Sequence, residues 1–131
     1  MIGVDTNVLV RYLVKDDLPQ FEKARRLISR AAASGEPVLV SLLVLLETEW
    51  VLRSRYELPK AQIVGALSAL LETAEVTFED EPGVETALYT WKDGAADFAD
   101  CLIGAHNTGL GCSSTATFDA RAIRLAGFVG V

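Results

Sequence analysis

The chain has 131 residues, half of them apolar, with 18 acidic side chains against 12 basic ones for a formal charge of −6. That length is the size of one domain, residues 1–131, and suffices for a core without staples, while the apolar content excludes long disorder. The acidic balance excludes a general polyanion-binding surface, so nucleic acid would have to be handled through local charge or a bound cation.

The longest apolar run, Val38 to Leu46, is broken by Ser41 and stops at Glu47, well short of the ~20 residues of a membrane span. The start carries no basic region and cleavage site of a secretory signal. Two cysteines, Cys101 and Cys112, fall in no ligand pattern. The expectation is a reduced, cytoplasmic protein in which both are small core residues.

In chain order, Ile2 to Asp5 predicts a short strand and Thr6 to Lys15 a helix. Pro19 opens a second helix with Phe21, Ala24, Leu27, Ile28 and Ala31 as its apolar stripe, stopped at Ser34-Gly35. Pro37 to Ser41 reads as a buried strand, Leu42 to Arg55 as a helix, and Pro59 starts a further helix carrying Ile63, Leu67, Leu70 and Leu71. Glu75 to Phe78 predicts a strand, Pro82 to Trp91 a helix despite Gly83, and Phe98 to Thr108 a helix ended by Gly109 and Gly111. Cys112 to Phe118, Ala120 to Leu125 and Phe128 to Val131 read as strand, short helix and strand. This alternation predicts an α/β fold of three layers, α/β/α, with a short central parallel sheet flanked by helices. Ligands of such sheets bind at the carboxyl ends of strands, where Asp5 would lie.

Each acid has two readings. Asp5 is a helix cap or a metal ligand. Glu47 has Leu43, Val44, Trp50 and Val51 three and four positions away, so it is expected on the buried face, where a carboxylate needs a partner; the alternative is that it reaches solvent at the edge of the stripe. Glu49 has Arg53 four residues on and reads as a surface ion pair. Asp97 suits an N-cap, and Asp100, three residues later, either reaches back to the cap or is held toward the sheet end, where the two acids would crowd each other. Asp119 ends a strand before a helix, as Asp5 does, and is also explained as a cap; Thr6 and Thr117 have similar local roles. Together, Asp5, Glu47, Asp100 and Asp119 can converge at one sheet edge. Such oxygen donors suit Mg²⁺ or Mn²⁺, and a cation there turns an acidic cleft into a phosphate-accepting one.

The stretches "VDTNVLVRYLV", "LLVLLETEWVLRSRYEL", "DFADCLIGAHNTGLGC" and "TATFD" resemble, in order and across the chain, those of PIN-domain ribonucleases, and within them VapC-type toxins of toxin–antitoxin pairs. The resemblance implies Mg²⁺- or Mn²⁺-dependent cleavage of RNA, a homodimer, and a small antitoxin that covers the active-site groove. It assigns Asp5, Glu47, Asp100 and Asp119 to catalysis. Of these, Asp5, Asp100 and Asp119 would hold metal and Glu47 would orient a water or complete the ligand shell through one. Thr6, Asn7, Asp97 and Thr117 would support them. Arg11, Lys15, Arg53, Arg55, Arg121 and Arg124 are candidate RNA contacts or plain surface charges. His106, with Leu102 and Ile103 on its helical face, reads as packing.

The rivals fit less well. A HAD-like phosphotransferase needs a second Asp where Asn7 stands, and a receiver-type signalling domain needs a strand-end lysine that Lys15, Lys23, Lys60 and Lys92 do not supply. A catalytically degenerate acidic α/β binding module is the remaining alternative.

Overall fold

The structure is a computed structural model describing residues 1–131, and its internal contacts divide the chain into two compact units, Met1–Glu79 and Asp80–Val131.

The first unit runs α1 (Thr6–Leu13), α2 (Leu18–Ala33), β1 (Val38–Val40), α3 (Leu42–Ser54), α4 (Lys60–Glu72) and β2 (Val76–Phe78). β1 and β2 pair in parallel with Val38 opposite Val76 and Val40 opposite Phe78, all four buried. Ahead of them, Leu39 donates to the Ile2 carbonyl (2.8 Å) and accepts from Val4 N–H (3.1 Å). The expected Ile2–Asp5 strand is thereby reduced to one parallel bridge at Gly3, because Asp5 already turns the chain into α1. Leu9, Ile28, Leu45, Ile63 and Leu67 are fully buried, each contributing about 1.5–3 kcal/mol of apolar transfer energy.

Local chemistry sets these helix ends. The Asp17 carboxylate accepts from Gln20 N–H (3.1 Å), and Pro19 sits in the first turn of α2. At the start of α3, Ser41 Oγ accepts from Val44 N–H (3.3 Å) and the Glu79 carboxylate from Leu42 N–H (2.9 Å). Arg11 ties α1 to its neighbours: its guanidinium donates to Gln20 (2.6 Å), Asp16 (3.1 Å) and the Tyr56 hydroxyl (3.0 Å), and Tyr56 in turn donates to Asp16 (2.9 Å).

The second unit runs α5 (Glu81–Asp93), α6 (Phe98–Gly109), β3 (Thr115–Thr117), a 3₁₀ turn (Ala122–Arg124) and β4 (Phe128–Gly130). β3 and β4 are parallel, Thr115 opposite Phe128. The strands of the chain therefore pair as two two-stranded parallel ladders, one in each unit. α5 packs on α6 through Trp91 and Phe98, whose rings lie 5.1 Å apart. Gly83 fits the start of α5 because a Cβ there would strike the Asp80 carboxylate, which accepts from Gly83 N–H (3.1 Å). Gly104 likewise lets the Phe128 ring lie against α6, where a Cβ would overlap it.

Two expectations are corrected here. Cys101 is buried, but Cys112 is exposed, since β3 begins only at Thr115 and Cys112 falls in the connection before it. His106 has a partner: its Nδ1 lies 2.6 Å from Asp80 Oδ2, while Ile103, expected to pack beside it, is 45% exposed. No helix is long and apolar enough to cross a membrane.

Candidate functional site

The first unit holds a cavity of about 610 Å³. Its floor is the start of α1, Asp5, Thr6 and Asn7, and its wall is one stripe of α3 and the residue after it: Leu43, Val44, Glu47, Trp50, Val51 and Arg55. Asp5 is the N-cap of α1, its Oδ1 accepting from Val8 N–H (3.0 Å). Capping and cavity lining are therefore compatible, since a carboxylate has a second oxygen to offer. Thr6 is buried and Asn7 exposed.

The structure corrects the expected orientation of α3. Glu47 is exposed, and its apolar neighbours Leu43 and Trp50 are 81% and 48% exposed. They line the cavity instead of the core. Glu49, expected on the surface, is 3% exposed, although its pairing with Arg53 is present (Nε to Oε2, 2.8 Å). The helix is apolar all round, so spacing alone did not show which stripe would be covered. Glu47 does share a cavity with Asp5, Thr6 and Asn7, for the opposite reason to the one expected.

The second unit gathers Asp97, Asp100 and Asp119, one oxygen of each lying within 4.8 Å of the others. Asp97 occupies the N-cap position of α6 but makes no side-chain capping bond. Asp119, between β3 and the 3₁₀ turn, accepts from Arg121 N–H (2.7 Å) and Ala122 N–H (3.3 Å) through one oxygen, and Thr117 Oγ1 accepts from Asp119 N–H (2.9 Å). Thr117 thus fixes the backbone that presents Asp119. Arg121 stands beside the group, 3.6 Å from Asp97 and 3.9 Å from Asp119.

Electrostatics differ across the three acids. Partial burial, then the nearby charges of Asp119 and Asp97, push the Asp100 carboxyl above its ordinary value, with Arg121 opposing. Backbone N–H donors from Arg121 and Ala122 hold Asp119 below its ordinary value. An ionised, hydrogen-bonded acid beside a crowded one is a donor set that a cation relieves. On one Mg²⁺ octahedron, oxygens lie about 3.0 Å apart in cis and about 4.2 Å in trans positions, so the three side chains would draw together to hold a hard divalent ion. Asp97, expected only in support, lies within this cluster.

Of the candidate RNA-contacting cations, Arg55 lines the cavity of the first unit and Arg121 adjoins the acids of the second. Arg11 is engaged in its network with Asp16 and Tyr56. Lys15 lies over the Phe21 ring at 4.9 Å, and Arg53 is paired with Glu49. Spacing did not single out Trp50 as a cavity residue. Its place on the Glu47 stripe, three residues on, was the available signal.

Compared with known protein families, residues 2–128 match the PIN domain. A search of curated proteins finds no match.

Proposed function

Because the chain belongs to the PIN-domain family, whose members are generally nucleases, we propose that it is a Mg²⁺- or Mn²⁺-dependent endoribonuclease and the toxin of a VapBC-type toxin–antitoxin pair. In this reading residues 1–131 act as a single PIN-like domain, the protein is a cytoplasmic homodimer, and a small antitoxin covers its groove. The observation that carries the metal-dependent reading is the trio Asp97, Asp100 and Asp119, with ligand oxygens within 4.8 Å of one another.

Asp5, Asp100 and Asp119 are assigned as metal ligands, with Asp97 and Thr117 supporting the last two and Thr6 and Asn7 the first. A divalent ion bound by such residues lowers the pKa of water and stabilises charge developing on a phosphate. The chain's own contributions are more specific. Asp119, kept ionised by two backbone N–H groups, offers its second oxygen. Asp100, whose carboxyl is raised by partial burial and by Asp119 and Asp97, would share the ion with Asp119 and be relieved of that crowding. Glu47 is solvent-accessible on the cavity wall and is assigned to orienting the attacking water, and Arg55 and Arg121 offset the acidic charge for an incoming polyanion.

The test is cleavage of an RNA panel that includes tRNAs, in Mn²⁺, Mg²⁺ or EDTA, with Asp5→Asn prepared identically to expose contaminating ribonuclease. Metal-dependent cutting that disappears in Asp5→Asn supports the reading. Cutting that persists in the variant overturns the site assignment.

A further inference from the structure

The nuclease reading leaves unexplained why a half-exposed tryptophan lies beside two carboxylates. On α3, Leu45, Thr48, Glu49 and Leu52 are buried, so packing has an inner face already filled. Trp50 is on the other face, 48% exposed, in a cavity that also holds Asp5, Glu47 and Arg55. The Arg55 guanidinium carbon lies 5.8 Å from the centre of the indole, a cation–π distance that restrains both side chains.

We infer that Trp50 and Arg55 form a nucleotide subsite for single-stranded RNA, Trp50 stacking on a base beside the scissile phosphate and Arg55 contacting the backbone. The inference rests on the proposed nuclease activity and adds to it the residues that select the substrate. Charge sorts the occupant. With Asp5 and Glu47 assigned to the metal and its water, the indole face of Trp50 is left for a neutral base, which stacks without adding negative charge to an acidic wall. Arg55 is the cation lining this cavity, and its fork of donors suits a phosphate oxygen pair. The volume, about 610 Å³, falls within the roughly 300–1,000 Å³ of small-ligand sites. A duplex offers no free base face, so the subsite commits the substrate to unpaired nucleotides.

The test uses a fluorescently labelled single-stranded RNA and the wild-type, Trp50→Ala, Trp50→Phe, Arg55→Ala and Asp5→Asn proteins. In Mn²⁺, Trp50→Ala and Arg55→Ala should each raise KM for cleavage about ten-fold or more, with kcat changed less than about two-fold, and Trp50→Phe should stay near wild type because a ring still stacks. Independently, unlabelled RNA added in EDTA should quench the intrinsic tryptophan fluorescence, and the quenching should vanish in Trp50→Phe, since the other tryptophan, Trp91, is 4% exposed. Cleavage with unchanged KM in Trp50→Ala and Arg55→Ala overturns the subsite and leaves the nuclease standing. RNA that quenches Trp50 without being cut supports the subsite and removes the nuclease. Neither cutting nor quenching overturns both. Circular dichroism of Trp50→Ala, together with the Trp50→Phe rescue, separates loss of stacking from loss of fold.

Discussion

Glu47 and Glu49, two residues apart on α3, occupy opposite environments: Glu49 is 3% exposed and held by Arg53, while Glu47 is exposed on the cavity wall shared with Asp5. A helix turns about 200° over two residues, so one carboxylate serves the fold and the other is free for chemistry. Glu47→Gln should cut metal-dependent cleavage ten-fold or more and leave the melting temperature within about 1–2 °C. Glu49→Ala should do the reverse, costing about 1–3 kcal/mol in denaturant unfolding through lost charge-assisted hydrogen bonds and a vacated buried position. Equal stability loss in both variants would contradict the division of labour.

Between them, Thr48 is fully buried and its Oγ1 has no hydrogen-bond partner. A buried hydroxyl without a partner costs on the order of 1–3 kcal/mol. Thr48→Val keeps the branched shape and removes that oxygen, so it should raise stability by about 1 kcal/mol with cleavage unaltered. A destabilised Thr48→Val protein would show that the hydroxyl is bonded in solution.

The Asp100 carboxyl is raised above its ordinary value by burial and by Asp119 and Asp97. An acid whose folded pKa exceeds its unfolded one binds more protons when folded, so its contribution to stability falls as pH rises through the interval between the two. Asp119, held low by backbone N–H groups, does the opposite, and its contribution is lost as pH falls through its folded value. At neutral pH in EDTA, Asp100→Asn should therefore melt higher than wild type. Adding Mn²⁺ should raise the wild-type melting temperature and not that of Asp100→Asn, and the Mn²⁺ effect should fade on acidification as protons compete at Asp100. A lower melting temperature for Asp100→Asn in EDTA would show that its charge is already compensated without metal.

The order of elements was legible because several boundaries carry a local signal: Pro19, Ser34-Gly35, Pro59 and Asp97 mark helix ends that the structure places within a residue or two. Of the four acids expected to converge, Asp100 and Asp119 lie together with Asp97, and Asp5 and Glu47 line one cavity in the first unit. What local pattern could not show was the covered face of α3, because Leu, Val and Trp occur on all sides of it and only tertiary packing chooses. The same limit hid the burial of Glu49 and left Asp80 unmarked as the partner of His106, since 26 residues separate them. The strand residues Cys112 to Ser114 also failed to extend β3, whose ladder with β4 begins at Thr115.

Asp80 has two tasks at once. Its backbone is in the left-handed region (φ 54°), one carboxylate oxygen caps α5 at Gly83, and the other meets His106 near the end of α6. It therefore couples the start of one helix to the end of the next, in the two elements that pack most extensively in the second unit. Asp80→Ala removes the cap and the histidine contact and should cost about 1–3 kcal/mol. His106→Ala removes only the contact and should cost less. Combined, the two changes should lose less than the sum of the singles by about 0.5 kcal/mol or more, the coupling energy of the pair in a double-mutant cycle. Simple additivity would mean that Asp80 acts as a cap alone. Asp80→Asn, which keeps an acceptor for Gly83 N–H, should recover part of the loss and leave cleavage at the wild-type rate.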